Sequence, residues 1–177
     1  MDFEIRALTE ADWPDVSRIY QLGMDTNRAT FQSECPSWDE WNRSHLAPCR
    51  LVIAKDGVVL GWAALTAVSG RCVYAGVAEV SIYIDPDAQG KGVGTQLLNA
   101  LIVNSELEGF WTLQSGIMQD NEPSIRLHAR CGFRMVGYRE RIGKDRFGVW
   151  RNTVLMERRS SSDRFSGDCS CSGKCKE

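Results

Sequence analysis

The stretch "DPDAQGKGVGTQLL", residues 85–98, joins a strand-like run to a helix-like run through three glycines at alternate positions. The preceding "GVAEVSIYID" alternates apolar and polar side chains, which is typical of a half-buried strand. Small residues let the N–H groups of residues 90–95 point together at the start of a helix, which favours a phosphate or pyrophosphate. A glycine-rich turn without a ligand is the alternative that these residues leave open.

The glycine spacing excludes two common nucleotide-binding loops. A Walker A loop requires glycine where this chain has Asp85 and a hydroxyl where it has Gly92. A dinucleotide-binding loop requires a third glycine, but counting from Gly90 or Gly92 reaches Thr95 or Leu97 instead. The stretch therefore needs another explanation.

The rest of the chain predicts the order β-α-α-β-β-β-α-β-α-β-β. Ser37 and Glu40 form a capping box at the start of a short helix, and a helix before it is expected to end around Gly23. The dipeptide Asp56-Gly57 separates two apolar, β-branched runs and predicts a hairpin. This order favours an α/β fold with a mixed, mostly antiparallel sheet of six to seven strands and helices on both faces.

Composition limits the classes of partner. The chain has 177 residues, of which 43% are hydrophobic and 25% charged, so one globular domain is expected. A net charge of -2 gives no general reason to expect nucleic acid or an anionic membrane as a partner. Since no signal-like or membrane-spanning segment stands out, we expect a cytoplasmic protein.

The cysteines fall into two groups. Cys35, Cys49, Cys72 and Cys131 are scattered singly, as free thiols in a reducing compartment are. The other three follow a polar segment that begins near Arg158, so we expect a domain over residues 1–157 and a tail over residues 158–177. The tail thiols Cys169, Cys171 and Cys175 are either idle or ligands of a soft ion, and no metal is expected to be required.

The glycine stretch resembles motif A of the GNAT superfamily of acetyltransferases, Gln/Arg-x-x-Gly-x-Gly/Ala. The matching residues are Gln89, Gly90, Lys91, Gly92, Val93 and Gly94. In that superfamily this loop holds the pyrophosphate of acetyl-CoA. The resemblance covers residues 3–157 and implies a GNAT fold with acetyl-CoA as co-substrate.

Further motifs resemble the phosphinothricin N-acetyltransferase group, which includes acetyltransferases of methionine sulfoximine and arsinothricin. They are "NRATF" at residues 27–31, Arg71-x-x-Tyr74, Ala78-Glu79-x-x-x-Tyr83, "NEPSIRLHARCGF" at residues 121–133 and "GVWRNTVLMERR" at residues 148–159. Asn152 departs from the aspartate that is usual in the last motif. This resemblance implies acetylation of the α-amine of a small amino acid by a homodimer.

Two residues are candidates for catalysis. Glu79 lies on the polar face of the strand that enters the glycine stretch, where its carboxylate can take a proton from an ammonium directly or through one water. His128 lies on the inward face of a predicted helix, and the resemblance implies an assisting role for it. An exposed strand glutamate and a structural core histidine are the alternatives.

The resemblance also implies two sets of binding residues. An arginine fork can hold a carboxylate or phosphinate, so the acceptor amino acid is expected to contact Arg71, Tyr74, Arg28, Phe31 and Tyr83. The expected acetyl-CoA contacts are the backbone of Ile82, Tyr83 and Ile84, the loop Gln89, Gly90, Lys91, Gly92, Val93, Gly94 and Thr95, and the side chains of Asn121 and Ser124. Thr95 and Asn121 are alternatively helix caps.

Two other functions stay open at this point. Acetylation of a protein N-terminus or a polyamine would require an open acidic groove. A non-catalytic acyl-CoA-binding sensor would keep the fold and the glycine stretch without turnover.

Overall fold

The computed structural model describes residues 3–166, and its elements follow the predicted order. The strands are β1 (Glu4–Ala7), β2 (Leu51–Lys55), β3 (Val58–Ala67), β4 (Val77–Ile84), β5 (Thr112–Met118), β6 (Arg134–Lys144) and β7 (Trp150–Arg159). The helices are α1 (Trp13–Asp25), α2 (Trp38–Ser44), α3 (Val93–Leu107) and α4 (Glu122–Arg130).

Two local predictions are confirmed in detail. Asp56 and Gly57 have φ angles of 51° and 80°, the left-handed pair that turns β2 tightly into β3. At the start of α2, the Ser37 hydroxyl accepts the Glu40 amide, and the Glu40 carboxylate accepts the Ser37 amide at 2.9 Å.

The helix α1 ends at Asp25, within two residues of the end predicted around Gly23. A Cβ on Gly23 would lie 2.6 Å from Cδ1 of Tyr83. Gly23 is therefore required for close packing of a helix against an aromatic ring, and it does not end the helix.

The seven strands form one sheet in the order β1-β2-β3-β4-β5-β7-β6. Among these described strands only β4 and β5 pair in parallel, and every other neighbouring pair is antiparallel. The predicted mixed, mostly antiparallel sheet is confirmed.

Helices cover both faces of the sheet, as predicted. On one face α3 buries Leu97, Leu98 and Leu101 completely, and each such leucine contributes about 1.5–3 kcal/mol relative to exposure. On the other face α1 and α2 pack Ile19 and Trp41 around Trp62 of β3. The buried seam of α3 fixes the helix whose first turn follows the glycine stretch.

The pairing of β4 with β5 is short and sets the shape of the site. It joins residues 77–79 of β4 to residues 112–114 of β5, and the last pair is Glu79 with Gln114. Beyond that pair β5 remains paired with β7, and β4 remains paired with β3. Residues 80–84 therefore have no partner strand on the β5 side, and the sheet opens there into a wedge with Glu79 at its apex.

Contacts with the domain continue past residue 157. The amide of Ser160 donates to the Trp111 carbonyl at 2.9 Å, and Arg159 donates to the same carbonyl at 2.9 Å. The ring of Phe165 lies 6.4 Å from that of Trp111. Cys169, Cys171 and Cys175 lie outside the described residues. Within residues 3–166 no helix has the length and apolarity needed to cross a membrane.

Candidate active site

A cleft of about 360 Å³ occupies the wedge between β4 and β5. Its walls come from β4, from residues 115–117 of β5, from the start of α4 and from the loop after α1. The cleft brings together seven residues expected from the sequence: Phe31, Glu79, Ile82, Tyr83, Asn121, Ser124 and His128.

One of the two carboxylate oxygens of Glu79 is held by a hydrogen bond at the apex of the wedge. Gln114 Nε2 donates to Glu79 Oε2 at 3.0 Å, and the two residues are partners in the last β4–β5 pair. Oε1 has no hydrogen-bond partner among residues 3–166, and Gly116 adjoins it without a side chain, since a Cβ there would lie 3.9 Å away. The carboxylate thus has a fixed orientation and a free oxygen at the cleft.

The neutral form of His128 has a defined tautomer. Only 1% of the residue is exposed, and its Nδ1 lies 2.8 Å from the Ser124 carbonyl. Because a carbonyl only accepts, Nδ1 carries the proton and Nε2 keeps its lone pair. Burial lowers the pKa of His128, although the Ser124 carbonyl opposes this.

His128 Nε2 is a buried acceptor with no protein partner among the described residues. The histidine lines the cleft next to Ser124. A buried polar atom without a partner is costly, which indicates an atom that a ligand or water can satisfy.

Tyr83 divides its roles between backbone and side chain. Its backbone belongs to the part of β4 without a partner on the β5 side. Its ring stacks on Trp62 at 4.8 Å and contacts Tyr20 at 4.7 Å, and burial raises the pKa of the phenol, so the side chain is neutral.

The glycine loop is shaped by backbone conformation at two positions. Gly90 and Gly92 have φ angles of 74° and 81°, and a Cβ on either would meet nothing within 4 Å. Gly94 differs, since a Cβ there would lie 3.2 Å from Leu127 of α4. Two glycines therefore set the turn and leave open space beside it, while the third permits close packing of helices.

The α3 helix begins on this loop and presents its first amides there. Its N-cap is Gly92, so the amides of Val93, Gly94 and Thr95 have no acceptor within the helix. The alternative interpretation of Thr95 as a helix cap is wrong. Asn121 is a cap, since its Oδ1 accepts the Ser124 amide at 3.3 Å, and it lines the cleft as well.

The remaining loop side chains turn back on the protein. Gln89 Nε2 donates to the Ile84 carbonyl at 3.4 Å, and Lys91 Nζ donates to the Asp87 carbonyl at 2.7 Å. Neither side chain lines the cleft.

Three expected acceptor-binding residues do not line the cleft. Arg71 lies over the ring of Tyr74 at 5.7 Å on an exposed turn before β4. The Arg28 side chain is 64% exposed, with Nε 3.8 Å from Asp120. The described part of a single chain does not bring these side chains to Glu79.

Asn152 also lies away from the cleft lining. Its Oδ1 accepts the Arg141 amide at 2.8 Å, and its Nδ2 donates to Gln119 at 3.1 Å. An aspartate could accept the same amide but could not donate to Gln119, so the difference from the usual motif alters the contact with the turn after β5.

Several residues that line the cleft or contact Glu79 were not predicted from the sequence. Gln114 is a polar position in "WTLQSGIM", but its contact with Glu79 depends on the strand order. His45 follows α2, stacks on Trp41 at 4.3 Å, and has its pKa lowered by burial. Other unpredicted lining residues are Tyr20, Thr30, Gln32 and Thr66. Residues 3–166 contain no cluster of three or more possible metal ligands of the His, Cys, Asp or Glu type.

Comparison with known proteins agrees with this geometry. The Acetyltransferase (GNAT) family matches residues 8–133. The chain belongs to the GNAT family of acetyltransferases. The predicted family and fold are thus confirmed.

Relatives of this GNAT protein share most of its length. It is 37% identical over 162 residues to a phosphinothricin N-acetyltransferase of Alcaligenes faecalis, covering 87% of this chain and 81% of the relative. It is 32% identical to an L-methionine sulfoximine/L-methionine sulfone acetyltransferase of Pseudomonas paraeruginosa, covering 89% and 94%.

A solved structure gives the same result. The crystal structure of a GNAT superfamily phosphinothricin acetyltransferase from Sinorhizobium meliloti in complex with acetyl-CoA has a TM-score of 0.79 and 28% identity, covering 90% of this chain and 89% of that one. This GNAT protein is an acetyl-CoA-dependent N-acetyltransferase, with acetyl-CoA as its co-substrate.

Proposed function

We propose that this enzyme acetylates the α-amine of a small amino acid such as phosphinothricin, methionine sulfoximine or arsinothricin. The observation that carries the proposal is the oriented Glu79 carboxylate at the apex of a cleft of about 360 Å³. That volume lies near the lower end of the range for small-molecule sites, which favours a small acceptor over a protein. The substrates named for the two relatives support the same class.

Glu79 is the general base of the proposed reaction. Its free Oε1 takes a proton from the acceptor ammonium, directly or through one water. The neutral amine then attacks the thioester carbon, the carbon–sulfur bond breaks, and the leaving CoA thiolate takes up the second proton from the attacking nitrogen, which gives the amide and free CoA thiol. Gln114 keeps the carboxylate turned toward the cleft throughout.

His128 assists from the opposite wall in this proposal. Its neutral ring offers the Nε2 lone pair to the acceptor ammonium or to a bound water. A hydrogen bond of this kind orients the amine and satisfies the buried nitrogen.

In this proposal acetyl-CoA binds along the unpaired edge of β4 and at the glycine loop. The backbone of Ile82, Tyr83 and Ile84 lies where β4 has no partner on the β5 side, as an extended chain of amides requires. The free amides at the start of α3 and the space beside Gly90 and Gly92 suit a pyrophosphate. Asn121 and Ser124 lie on the wall opposite β4.

Recognition of the acceptor's acidic group remains a prediction. The positions of Phe31 and Tyr83 on the cleft support their expected contacts, whereas those of Arg71, Tyr74 and Arg28 rest on the family resemblance. Arg71→Met is expected to raise the KM for phosphinothricin about tenfold, as loss of a charged hydrogen bond does, with the KM for acetyl-CoA unchanged. An unchanged KM for phosphinothricin would remove Arg71 from the site.

We also propose that the enzyme is a homodimer. The hairpin of β6 and β7 carries several exposed apolar side chains, including Tyr138, Ile142, Phe147 and Trp150. Light scattering is expected to give twice the mass of one chain, and Ile142→Glu to halve it. Val103→Glu, an equally exposed apolar position on α3, is the control. A wild-type mass of one chain would contradict the dimer.

A cytoplasmic location is proposed on the same footing as the dimer. The four cysteines of residues 3–166 are all free, which suits a reducing compartment. The chain can be fused to a reporter enzyme that is active only outside the cytoplasm. Activity of that reporter in cells would contradict a cytoplasmic location.

Thiol release from acetyl-CoA tests the function with a panel of acceptors. Phosphinothricin, methionine sulfoximine and arsinothricin are expected to turn over at least tenfold faster than spermidine or a peptide with a free N-terminus. Faster turnover of the polyamine or peptide would support that rival instead. Binding of acetyl-CoA without release on any amine would indicate a sensor.

A further inference from the structure

The loop after α1 forms one wall of the cleft and is held by distant parts of the chain. Its residues Ala29–Gln32, here called the acceptor wall, line the cleft. Residues 25–28, which lead into the wall, contact the turn between β6 and β7 and the turn between β5 and α4.

The first contact is a buried charge network. The Asp145 side chain is 3% exposed, and it accepts hydrogen bonds from Asn27 Nδ2 at 2.9 Å and from Arg151 at 3.2 Å. Arg151 also donates to the Asn27 carbonyl at 3.2 Å. Asn27 has a φ of 54°, so this network fixes the loop in a left-handed conformation just before the wall.

Arg151 extends the network to a third segment. Its Nη2 donates to both carboxylate oxygens of Asp120 at 2.8 and 2.7 Å. The neighbouring Asn121 donates to the Arg28 carbonyl at 3.1 Å. One guanidinium with a 17% exposed side chain thus joins Asn27, in the segment that leads into the wall, to two turns, a geometry that a lysine cannot reproduce.

A second contact fixes the inner face of the wall. A Cβ on Gly143 of β6 would lie 3.1 Å from Cε1 and 3.2 Å from Cζ of Phe31. Because Gly143 has no side chain, there is room beside it for the Phe31 ring, which lines the cleft.

We propose that Arg151 is a positioning residue and Gly143 a specificity-determining position for the amine acceptor. Both act on the acceptor wall, and neither lines the cleft. They set the affinity for the acceptor while leaving Glu79 and the acetyl-CoA contacts in place. The inference rests on the proposed placement of a small acceptor between this wall and Glu79.

Steady-state kinetics of the full chain test the proposal, using whichever amine the wild type acetylates best. Arg151→Met is expected to raise the KM for the amine about tenfold, with the KM for acetyl-CoA within twofold, while Arg151→Lys recovers part of the loss. The control is Arg134→Met, whose side chain is 71% exposed and pairs with Glu157 on the same hairpin.

Gly143→Ala provides an independent variant with a milder change. It is expected to shift the ratio of kcat/KM between a short and a long acceptor, such as glycinamide and methionine sulfoximine, at least threefold, because the Phe31 ring must move. Gly137→Ala is the matched control on β6, since a Cβ there meets nothing within 4 Å.

Hydrogen exchange separates positioning from general destabilisation. In Arg151→Met, peptides covering residues 26–32 are expected to exchange at least tenfold faster, with residues 77–84 unchanged. Equal acceleration in both regions, or equal increases in both KM values, would overturn the proposal. The Arg151 variants are tested with whichever amine the wild type acetylates best. The test therefore stays decisive even if the proposed substrate class is wrong.

Discussion

The strand and glycine loop proposed to hold acetyl-CoA form one continuous piece of chain, residues 77–95, whereas the acceptor wall is held by contacts between remote segments. On the cofactor side, β4 runs directly into the left-handed turns at Gly90 and Gly92 and then into α3. On the acceptor side, Asn27 bonds to Asp145, 118 positions away in sequence.

This difference separates two kinds of control over the reaction. The proposed cofactor side depends on local backbone conformation and on one buried helix, so a change there is expected to alter acetyl-CoA binding. The acceptor wall depends on side chains that meet only in the folded sheet. Its position can change while the residues that bind acetyl-CoA stay in place.

The largest effect is expected at Glu79, where the two sides meet. Glu79→Gln removes the proton acceptor but keeps the shape, so kcat should fall about 10²–10⁴-fold. The Kd for acetyl-CoA, measured by calorimetry, should stay within twofold. Glu122→Gln, at an exposed carboxylate of α4, is the control. Wild-type kcat in Glu79→Gln from pH 6 to pH 9 would refute the assignment of the base.

The next effect concerns the cofactor side alone. Gly92→Ala places a Cβ at a φ of 81°, which costs about 1–2 kcal/mol of backbone strain, and should weaken acetyl-CoA binding about tenfold. Gly57→Ala introduces the same strain at a φ of 80° in the distant hairpin. Both variants should lose similar thermal stability, but only Gly92→Ala should raise the Kd. Equal Kd values would show that the loop does not hold the cofactor.

A pH-dependent effect distinguishes the two histidines at the cleft. Burial lowers the pKa of His128 and His45 below the ordinary 6.5. As the pH falls below 6.5, the unfolded chain therefore binds more protons than the folded chain. Their contribution to stability is present above pH 6.5 and is lost as the pH falls, by up to about 1.4 kcal/mol per pH unit for each histidine.

Urea unfolding between pH 7 and pH 5 measures this slope. His128→Gln and His45→Gln should each reduce it, whereas only His128→Gln should also lower kcat, by about tenfold, because of the lost Nε2 acceptor. Unchanged kcat in His128→Gln, together with a reduced slope, would leave His128 with a structural role alone.

The smallest effect is expected at Arg28. Its exposed pair with Asp120 contributes about 0–1 kcal/mol, so Arg28→Met should change the KM for the amine less than about threefold. A rise of more than tenfold in the KM for the amine would indicate that Arg28 contacts the substrate. The acceptor site would then extend beyond the described cleft.

Features set by near neighbours in sequence were predictable. The hairpin at Asp56-Gly57, the capping box at Ser37, the glycine turn and the placement of Glu79 on a polar strand face all follow from local backbone and side-chain chemistry. The family resemblance then assigned acetyl-CoA to the turn.

Features set by packing were not predictable in this way. Gly23 was expected to end α1 because glycine often does, but its role depends on Tyr83 of another element. The contact of Gln114 with Glu79 and that of Asn27 with Asp145 require the strand order and the hairpin position. A single sequence contains no local signal for either.

The short junction between β4 and β5 also has a mechanical consequence. Two half-sheets, β1 to β4 and β5 to β7, are joined edge to edge by three residue pairs. A ligand whose amides form hydrogen bonds with β4 while it contacts the opposite wall bridges the two half-sheets, in the place that another strand would take. Under the proposed binding mode, acetyl-CoA is expected to stabilise this junction, because a ligand that binds only the folded arrangement adds to its stability.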